Sequence, residues 1–228
     1  MPDPISWSFA LPWYMAALAG GYILGSIPFG VILTRIVGTP DIRTAGSGNI
    51  GATNVLRTGN RWLAAGTLLG DMLKGSLAVF IAQRWGPDIT VIAAMGAFLG
   101  HLFPVWLNFK GGKGISTVIG ILLVLYWPVC VFFCVVWLLA AIVTRYSSVA
   151  SLSAVALTPL FLVAVDYGSY EALLWRMAEF RWQYVELMTF IAVMVFIRHG
   201  PNIVRLYQGV ETKIGQKDNP PPPEHKKQ

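Results

Sequence analysis

The feature that most constrains this chain is a series of apolar runs, each of a length that can cross a lipid bilayer. Within hydrocarbon a single run must satisfy its own backbone hydrogen bonds, which favours helices. Only 12% of the residues are charged and 55% are hydrophobic, whereas about a quarter are charged in soluble domains. We therefore predict an all-α integral membrane protein with seven transmembrane helices. The expected spans are 12–35, 62–83, 89–107, 114–126, 128–144, 148–165 and 184–199.

The boundary between the fourth and fifth spans rests on one short motif. The apolar run from Ile115 to Val143 is too long for one ordinary span and short for two. Its "YWPV" sequence places Pro128 where a tight turn between two helices would fall. We predict two helices here, and a single membrane domain over residues 1–215 followed by a disordered, proline-rich cytoplasmic tail over 216–228.

The distribution of basic residues predicts the orientation. Of the seventeen Lys and Arg residues, thirteen fall in loops or tails on one side of the expected spans and three, Arg84, Arg176 and Arg181, on the other; Lys74 lies within a span. Cytoplasmic loops carry such an excess, so the amino terminus is expected outside and the carboxyl terminus in the cytoplasm. This requires an odd number of crossings, which five would satisfy as well as seven.

Three polar segments interrupt the apolar pattern, and all three fall on the predicted cytoplasmic side. The first polar segment is "TAGSGNIGATNVLRTGN" (44–60), the second is "GHLFPVWLNFKGGKGIS" (100–116) and the third is "RHGPNIVRLYQGVE" (198–211). Each combines glycines, which let backbone amides approach an anion, with basic residues and with Asn, Ser or His donors. This combination predicts phosphate binding.

The first and second polar segments each resemble a nucleotide-binding motif but do not match it. The first polar segment has G-x-G-x-x-G spacing at Gly46, Gly48 and Gly51, but it follows a membrane span and no βαβ unit surrounds it. The second polar segment lacks the G-x-x-x-x-G-K-[ST] order, because Gly114 follows Lys113. Neither dinucleotide binding nor ATP hydrolysis is expected. The second polar segment nevertheless ends where a helix begins, and helix N-termini attract anions.

Several polar residues allow two interpretations. Asp71 and Lys74, three apart within the second span, either neutralise each other or position the loops. His101 is either a polar anchor at a helix end or a site residue. Lys110 and Lys113 either set the topology or bind phosphate, and Ser151, like Ser148, either packs at a helix start or bonds a phosphate.

His199, Asn202 and Arg205 recur at helical spacing and are predicted to form one polar face near the membrane interface. Cys130 and Cys134 lie within an apolar run and are interpreted as packing residues. We expect no metal and no cofactor, since few carboxylates reach the cytoplasmic side.

At this point the chain resembles the bacterial acyl-phosphate:glycerol-3-phosphate acyltransferases of the PlsY type. The likeness rests on "GSGNIGATNVLR" (46–57), "GHLFPVWLNFKGGKG" (100–114) and "RHGPNIVRLYQGVE" (198–211), in that order, with "LGDMLKG" (69–75) and "YSSVAS" (146–151) between them. It covers nearly the whole chain. The loop 166–184 and the tail are longer than the family requires.

The resemblance implies an enzyme of the bacterial inner membrane whose site faces the cytoplasm. It would transfer a fatty acyl group from acyl phosphate to the sn-1 hydroxyl of glycerol 3-phosphate, giving lysophosphatidic acid and phosphate for phospholipid synthesis. The expected partners are these two substrates and membrane lipids, without nucleic acid, and we expect a functional monomer. No covalent intermediate is expected, because acyl phosphate already carries a good leaving group.

The resemblance also implies roles for individual residues. Catalysis is assigned to His199, Lys113 and Asn202, with either His199 or a substrate phosphate as the base. Glycerol 3-phosphate is assigned to Ser47, Arg57, Lys113, His199 and Asn202. Acyl phosphate is assigned to Asn49, Thr53, Asn54, Gly111, Gly112, Gly114 and Ser151. Supporting positions are Asp71, Lys74, His101, Arg205 and Glu211.

Two other function classes remain open at this level. A transporter of phosphate esters would use similar basic loops, but it should also carry polar groups on the opposite face. A non-enzymatic lipid-binding scaffold would have no need of the glycine-rich segments.

Overall fold

The structure is a computed structural model that describes residues 6–44, 47–167 and 182–216. Within these ranges the regular secondary structure is all helical, and there is no strand. The helices are α1 (Trp7–Gly25), α2 (Phe29–Val37), α3 (Ala52–Arg57), α4 (Arg61–Ala82), α5 (Pro87–Leu102), α6 (Ile115–Leu125), α7 (Trp127–Thr144), α8 (Ser147–Tyr167), α9 (Trp182–Arg198) and α10 (Gly200–Tyr207). Most of the predicted loop 166–184, the tail from residue 217 and Gly46 lie outside the described residues.

Five stretches of the described chain are long and apolar enough to cross a membrane: Ser8–Val37, Arg61–Trp85, Pro87–Leu107, Trp127–Thr144 and Ser147–Val165. A sixth arises if α9 and α10, which meet at a 56° bend, are counted as one broken span. The predicted all-α membrane fold is confirmed. Seven spans are not, because the expected fourth crossing is an apolar helix of only 11 residues, roughly 16 Å long, against a hydrocarbon core of about 30 Å.

The predicted division of the long apolar run is confirmed. Helix α6 ends at Leu125, Tyr126 adopts an extended conformation, and Pro128 lies in the first turn of α7. Proline is tolerated at that position, since the first amides of a helix have no intrahelical partner. The proline therefore begins a helix and does not kink one.

The predicted first span is interrupted at its centre. Helix α1 stops at Gly25 and α2 starts at Phe29. A break inside a membrane leaves backbone carbonyls that need a donor, and the Lys74 ammonium donates to the Ile27 carbonyl at 2.8 Å. Trp106 donates its indole N–H to the Ser26 hydroxyl at 2.8 Å. Side chains from other helices therefore satisfy polar groups at the break.

Close helix crossings fix the position of α5 against α1. A Cβ on Gly25 would lie 2.0 Å from the Ala97 carbonyl oxygen, and a Cβ on Gly100 would lie 2.3 Å from that of Tyr22. Small residues of this kind allow helix backbones to touch, which is how helices associate in lipid. Because α5 ends in the second polar segment, this crossing also fixes where that segment begins.

The apolar core lies mainly among α5 to α9, where Phe98, Ile121, Phe133 and Met188 are fully buried. Large apolar side chains also cover the outside of the bundle, such as Leu73, which is 64% exposed. An exposed apolar surface of this extent suits a lipid environment.

Candidate active site

The three polar segments converge on one cavity of about 480 Å³. The first contributes Ser47, Asn49, Thr53, Asn54 and Arg57; the second His101, Lys113, Gly114, Ile115 and Ser116; and the third His199 and Asn202. Ser147 and Ser151 of α8 and Arg61 of α4 add to the polar part of the lining. Residues separated by up to about 150 positions in the chain thus share one site.

The first polar segment is held in place from within. Asn54 is buried, and its Oδ1 accepts from the Ser47 amide at 3.0 Å and from the Ser47 hydroxyl at 3.3 Å. Its Nδ2 donates to the Ile42 carbonyl at 2.8 Å. Asn54 therefore braces the loop through three contacts. Asn49, Thr53 and Arg57 lie along the cavity wall beside it.

The resemblance assigns Gly111 and Gly112 to acyl phosphate, but their backbone amides already have protein acceptors. Their N–H groups donate to the carbonyls of Leu102 and His101, at 3.1 and 3.0 Å. The segment folds back onto the end of α5, and a Cβ on Gly112 would lie 2.1 Å from His101 Nε2. Both positions require glycine, because a Cβ on Gly111 would lie 2.2 Å from the His101 carbonyl oxygen and one on Gly112 would meet the His101 ring.

The predicted helix N-terminus does face the cavity. Gly114 adopts φ +85° and begins α6, and Ile115 and Ser116 of the first helical turn line the cavity wall. The first amides of a helix have no intrahelical acceptor, and the helix dipole favours an anion there. The turn after the glycines, with Lys113 beside it, therefore suits an anion.

Lys113 is the end of a chain of side-chain contacts that we call the cavity cluster, consisting of Lys113, Asn202, Glu211 and Arg205. The Lys113 ammonium donates to Asn202 Oδ1. Asn202 Nδ2 donates to Glu211 Oε1 at 2.6 Å, and Arg205 Nε donates to Glu211 Oε2 at 2.8 Å. The two amide atoms of Asn202 are thus both engaged, which fixes the direction from which it contacts Lys113.

Burial and neighbouring cations destabilise the charged form of Lys113, so an anion bound beside it would stabilise that form. Burial lowers the pKa of Lys113 to about 8, and the Glu211 carboxylate opposes this shift. Neighbouring guanidinium groups lower the pKa further; they belong to Arg205, Arg57 and Arg198. Burial alone would raise the pKa of Glu211, but hydrogen bonds from Asn202 and Arg205 outweigh it and the pKa lies below its usual range.

His199 lies at the bend between α9 and α10, where its side chain is buried. Its Nδ1 is 2.9 Å from the Val195 carbonyl oxygen. Because a carbonyl can only accept, Nδ1 carries the proton and Nε2 is the nitrogen left for other chemistry. His199 and Asn202 line the cavity together. Arg205, which was predicted on the same face, contacts Glu211 and does not line the cavity.

Ser151 lines the cavity but already has protein partners. Its hydroxyl donates to the Ser147 carbonyl at 2.8 Å and accepts from the Trp137 indole at 3.1 Å. A hydroxyl has a single proton to donate, so this arrangement favours helix packing over a bond to phosphate.

Asp71, Lys74 and His101 form a second group, which we call the membrane cluster. The Lys74 ammonium is 2.7 Å from Asp71 Oδ1, and His101 Nδ1 is 3.6 Å from the same oxygen. All three side chains are buried within the apolar helices. The contact with Asp71 fits the interpretation of a compensating pair, and Lys74 in addition supports the backbone at Ile27, in the break between α1 and α2. Only His101 reaches the cavity.

Arg198 has a role that the sequence alone did not indicate. Its guanidinium donates to the Gly111 carbonyl at 2.8 Å and to the Gly112 carbonyl at 3.3 Å. It also lies over the Phe103 ring, 5.5 Å from the ring centre. No spacing relates residue 198 to residue 111, so only the fold shows that this arginine holds the second polar segment. Arg61 and Trp137, which also line the cavity, were missed for the same reason.

The chain is similar to known proteins over most of its length. Residues 15–209 match the family model described as glycerol-3-phosphate acyltransferase. The chain belongs to this family. A protein of that name from Nitrobacter winogradskyi is 54% identical over 204 residues, covering 89% of this chain and 97% of that protein. One from Sinorhizobium fredii is 53% identical, covering 94% and 99%.

Two solved structures have the same fold. Both are crystal structures of PlsY (YgiH), an integral membrane glycerol 3-phosphate acyltransferase. The glycerol 3-phosphate form matches with a TM-score of 0.79 and 31% identity, covering 89% of this chain and 96% of that one. The lysophosphatidic acid form matches with a TM-score of 0.77 and 30% identity, covering 88% and 94%. The family resemblance read from the three polar segments is confirmed.

Proposed function

We propose that this protein transfers a fatty acyl group from acyl phosphate to the sn-1 hydroxyl of glycerol 3-phosphate, giving lysophosphatidic acid and inorganic phosphate. The observation that carries the proposal is the single cavity in which Arg57, Lys113 and the N-terminus of α6 meet. The names of the relatives support the acyl acceptor, and so do the glycerol 3-phosphate and lysophosphatidic acid forms of the solved PlsY.

The lining of the cavity suits one lipid and one water-soluble substrate. Besides the polar residues, α4, α6 and α7 contribute the largely apolar side chains of Leu68, Ile119 and Trp137 to the cavity wall. An acyl chain in contact with this apolar wall would place its phosphate near Lys113 and the first turn of α6. Lysophosphatidic acid also fits this lining, because its acyl chain would contact the apolar residues and its phosphate the polar ones.

The assignment of residues follows from these positions. Ser47, Arg57, Lys113, His199 and Asn202 hold glycerol 3-phosphate, while Asn49, Thr53, Gly114 and the first amides of α6 hold the phosphate of the donor. Gly111 and Gly112 act through shape, by letting the backbone pass His101. Asn54, Glu211 and Arg205 brace the residues that touch substrate.

The chemical step needs alignment and charge neutralisation more than covalent help. The sn-1 hydroxyl oxygen attacks the carbonyl carbon of the acyl phosphate, the bond from that carbon to the phosphate oxygen breaks, and phosphate leaves with the electron pair. The hydroxyl proton passes to His199 Nε2 or to the departing phosphate. Lys113 stabilises the charge that develops on the leaving group. No acyl-enzyme intermediate forms.

The topology proposed for the whole chain keeps seven passes. Helix α5 ends and α6 begins at the cavity, and α8 also begins there. The pair α6–α7 therefore runs away from the cavity and back, with α6 as the shortest pass. The excess of Lys and Arg near the cavity supports a cytoplasmic site in the bacterial inner membrane. Residues 1–215 form one monomeric domain, followed by the tail.

One assay tests the proposal against transport. Purified protein in detergent receives acyl phosphate and glycerol 3-phosphate, and release of phosphate and formation of lysophosphatidic acid are measured. Both products are expected in equal amounts without any closed membrane compartment. Replacing acyl phosphate by an acyl thioester should give no product. Turnover with the thioester alone would overturn the proposed donor, and absence of any turnover would leave transport or binding as the function.

A further inference from the structure

A second cavity, of about 210 Å³, adjoins the candidate active site. It lies between α3, the start of α8 and the segment 213–216, which follows α10. Four of its lining residues, Thr53, Leu56, Arg57 and Ser147, also line the active-site cavity. The two cavities are therefore neighbours that share a wall, and Arg57 is the cation in that wall. We call the smaller cavity the vestibule.

The outer wall of the vestibule is a fixed part of the fold. The Ile214 amide donates to the Arg145 carbonyl at 2.7 Å, and the Gln216 amide donates to the Lys213 carbonyl at 3.2 Å. The Lys213 ammonium lies over the Tyr146 ring, 5.6 Å from its centre, within the range of a cation–π contact. These contacts place the Lys213 side chain at the vestibule, beside the start of α8.

The lining of the vestibule suits a small hydrophilic anion. It contains the two cations Arg57 and Lys213, the hydroxyls of Thr53 and Ser147 and the amide of Gln216, and no Asp or Glu is among its described lining residues. A cleft lined by charges of one sign raises the local concentration of the opposite ion and the rate at which it associates. The active-site cavity differs, because its lining also includes apolar side chains of α4, α6 and α7.

The two substrates of the proposed reaction come from different phases. The acyl donor is held in the bilayer by its chain, whereas glycerol 3-phosphate is dissolved in water. We infer that the vestibule is the binding and entry site for the water-soluble phosphate ester, and the exit for inorganic phosphate. Lys213 binds the phosphate group first and passes it to Arg57 at the shared wall. This inference rests on the proposed function.

The test compares steady-state kinetics of full-length variants. In Lys213→Met, KM for glycerol 3-phosphate should rise about 3- to 10-fold at low ionic strength, with kcat unchanged and KM for acyl phosphate unchanged. The rise should shrink at high salt, because the Debye length falls from about 10 Å at 0.1 M to about 3 Å at 1 M. Lys213→Arg should restore the wild-type KM. Inhibition by inorganic phosphate should weaken in parallel.

Lys110→Met is the matched control, since Lys110 is an exposed lysine of the second polar segment that lines neither cavity. Equal changes in Lys110→Met and Lys213→Met would overturn the vestibule, as would a rise in KM for acyl phosphate alone. Thermal denaturation checks the fold, and Lys213→Gln repeats the test if the methionine variant unfolds. An inactive wild-type protein would instead refute the proposed function, so the two failures are distinguishable.

Discussion

The cavity cluster and the membrane cluster use similar residues for different purposes. Each has a lysine and a carboxylate within the same bundle. In the membrane cluster Lys74 contacts Asp71 directly, at 2.7 Å, and its remaining contact is the Ile27 carbonyl. In the cavity cluster Lys113 contacts a neutral amide, and Glu211 lies one residue further away, behind Asn202. The first lysine is neutralised by contact, and the second is oriented without being neutralised.

This difference separates a structural charge from a charge that can bind a ligand. A buried ion pair is satisfied when its partners meet, and removing one partner leaves an uncompensated charge in a medium of low dielectric constant. A lysine held by an amide at the wall of a cavity keeps its charge available for an incoming phosphate. The position of the acid, and not the presence of the lysine, decides which role results.

The largest expected effect comes from breaking the membrane cluster. Lys74→Met should lower the free energy of unfolding by about 3–5 kcal/mol, because Asp71 would remain buried without its partner. Thermal denaturation in detergent measures this loss. The double variant Asp71→Asn/Lys74→Met, which removes both charges, should recover at least half of it. If the double variant is less stable than the single one, the two residues do not act as a compensating pair.

The next effect should be on activity and not on stability. Lys113→Met should lower kcat/KM by about 10²- to 10³-fold, the usual result of removing one group that stabilises developing charge. Unfolding should occur at or above the wild-type temperature, since a partly buried ammonium is replaced by an apolar group. Lys110→Met serves as the control that loses the same charge nearby. A loss of stability with little change in kcat/KM would place Lys113 among the structural charges.

The sequence was sufficient for the helical membrane class and for the family, because hydropathy and the three polar segments are local signals. It also predicted that the polar segments meet, and Ser47, Arg57, Lys113 and His199 do line one cavity. The direction of hydrogen bonds was not predictable. The amides of Gly111 and Gly112 appear free in the sequence, and only the fold shows that they bond to the end of α5.

The bounds of α6 were predicted closely, as 114–126 against the observed Ile115–Leu125, because Pro128 marks the turn that follows it. Seven full-length crossings are not confirmed, and the reason is geometric. The extended Tyr126 and the left-handed Gly114 end the helix on both sides, so an 11-residue helix occupies the place of a full span. Composition alone could not distinguish these outcomes.

The smallest expected effect is a dependence on pH, in which deprotonation of Lys113 changes the rate and the stability in opposite directions. The pKa of Lys113 is lowered to about 8, so the free enzyme loses this charge above pH 8, and kcat/KM should fall by up to about tenfold per pH unit there. Bound phosphate favours the charged form of Lys113 and raises its pKa, so the fall in kcat should begin at higher pH than the fall in kcat/KM.

Stability should change in the opposite direction. Between pH 8 and 10.5 the unfolded chain holds more protons at this position than the folded chain, so the Lys113 contribution to stability rises with pH. Rate profiles and denaturation of wild type and Lys113→Met, measured over the same range, should differ in these directions. Parallel falls in rate and stability in the wild type alone would mean that the Lys113 charge holds the fold together, as the Lys74 charge does.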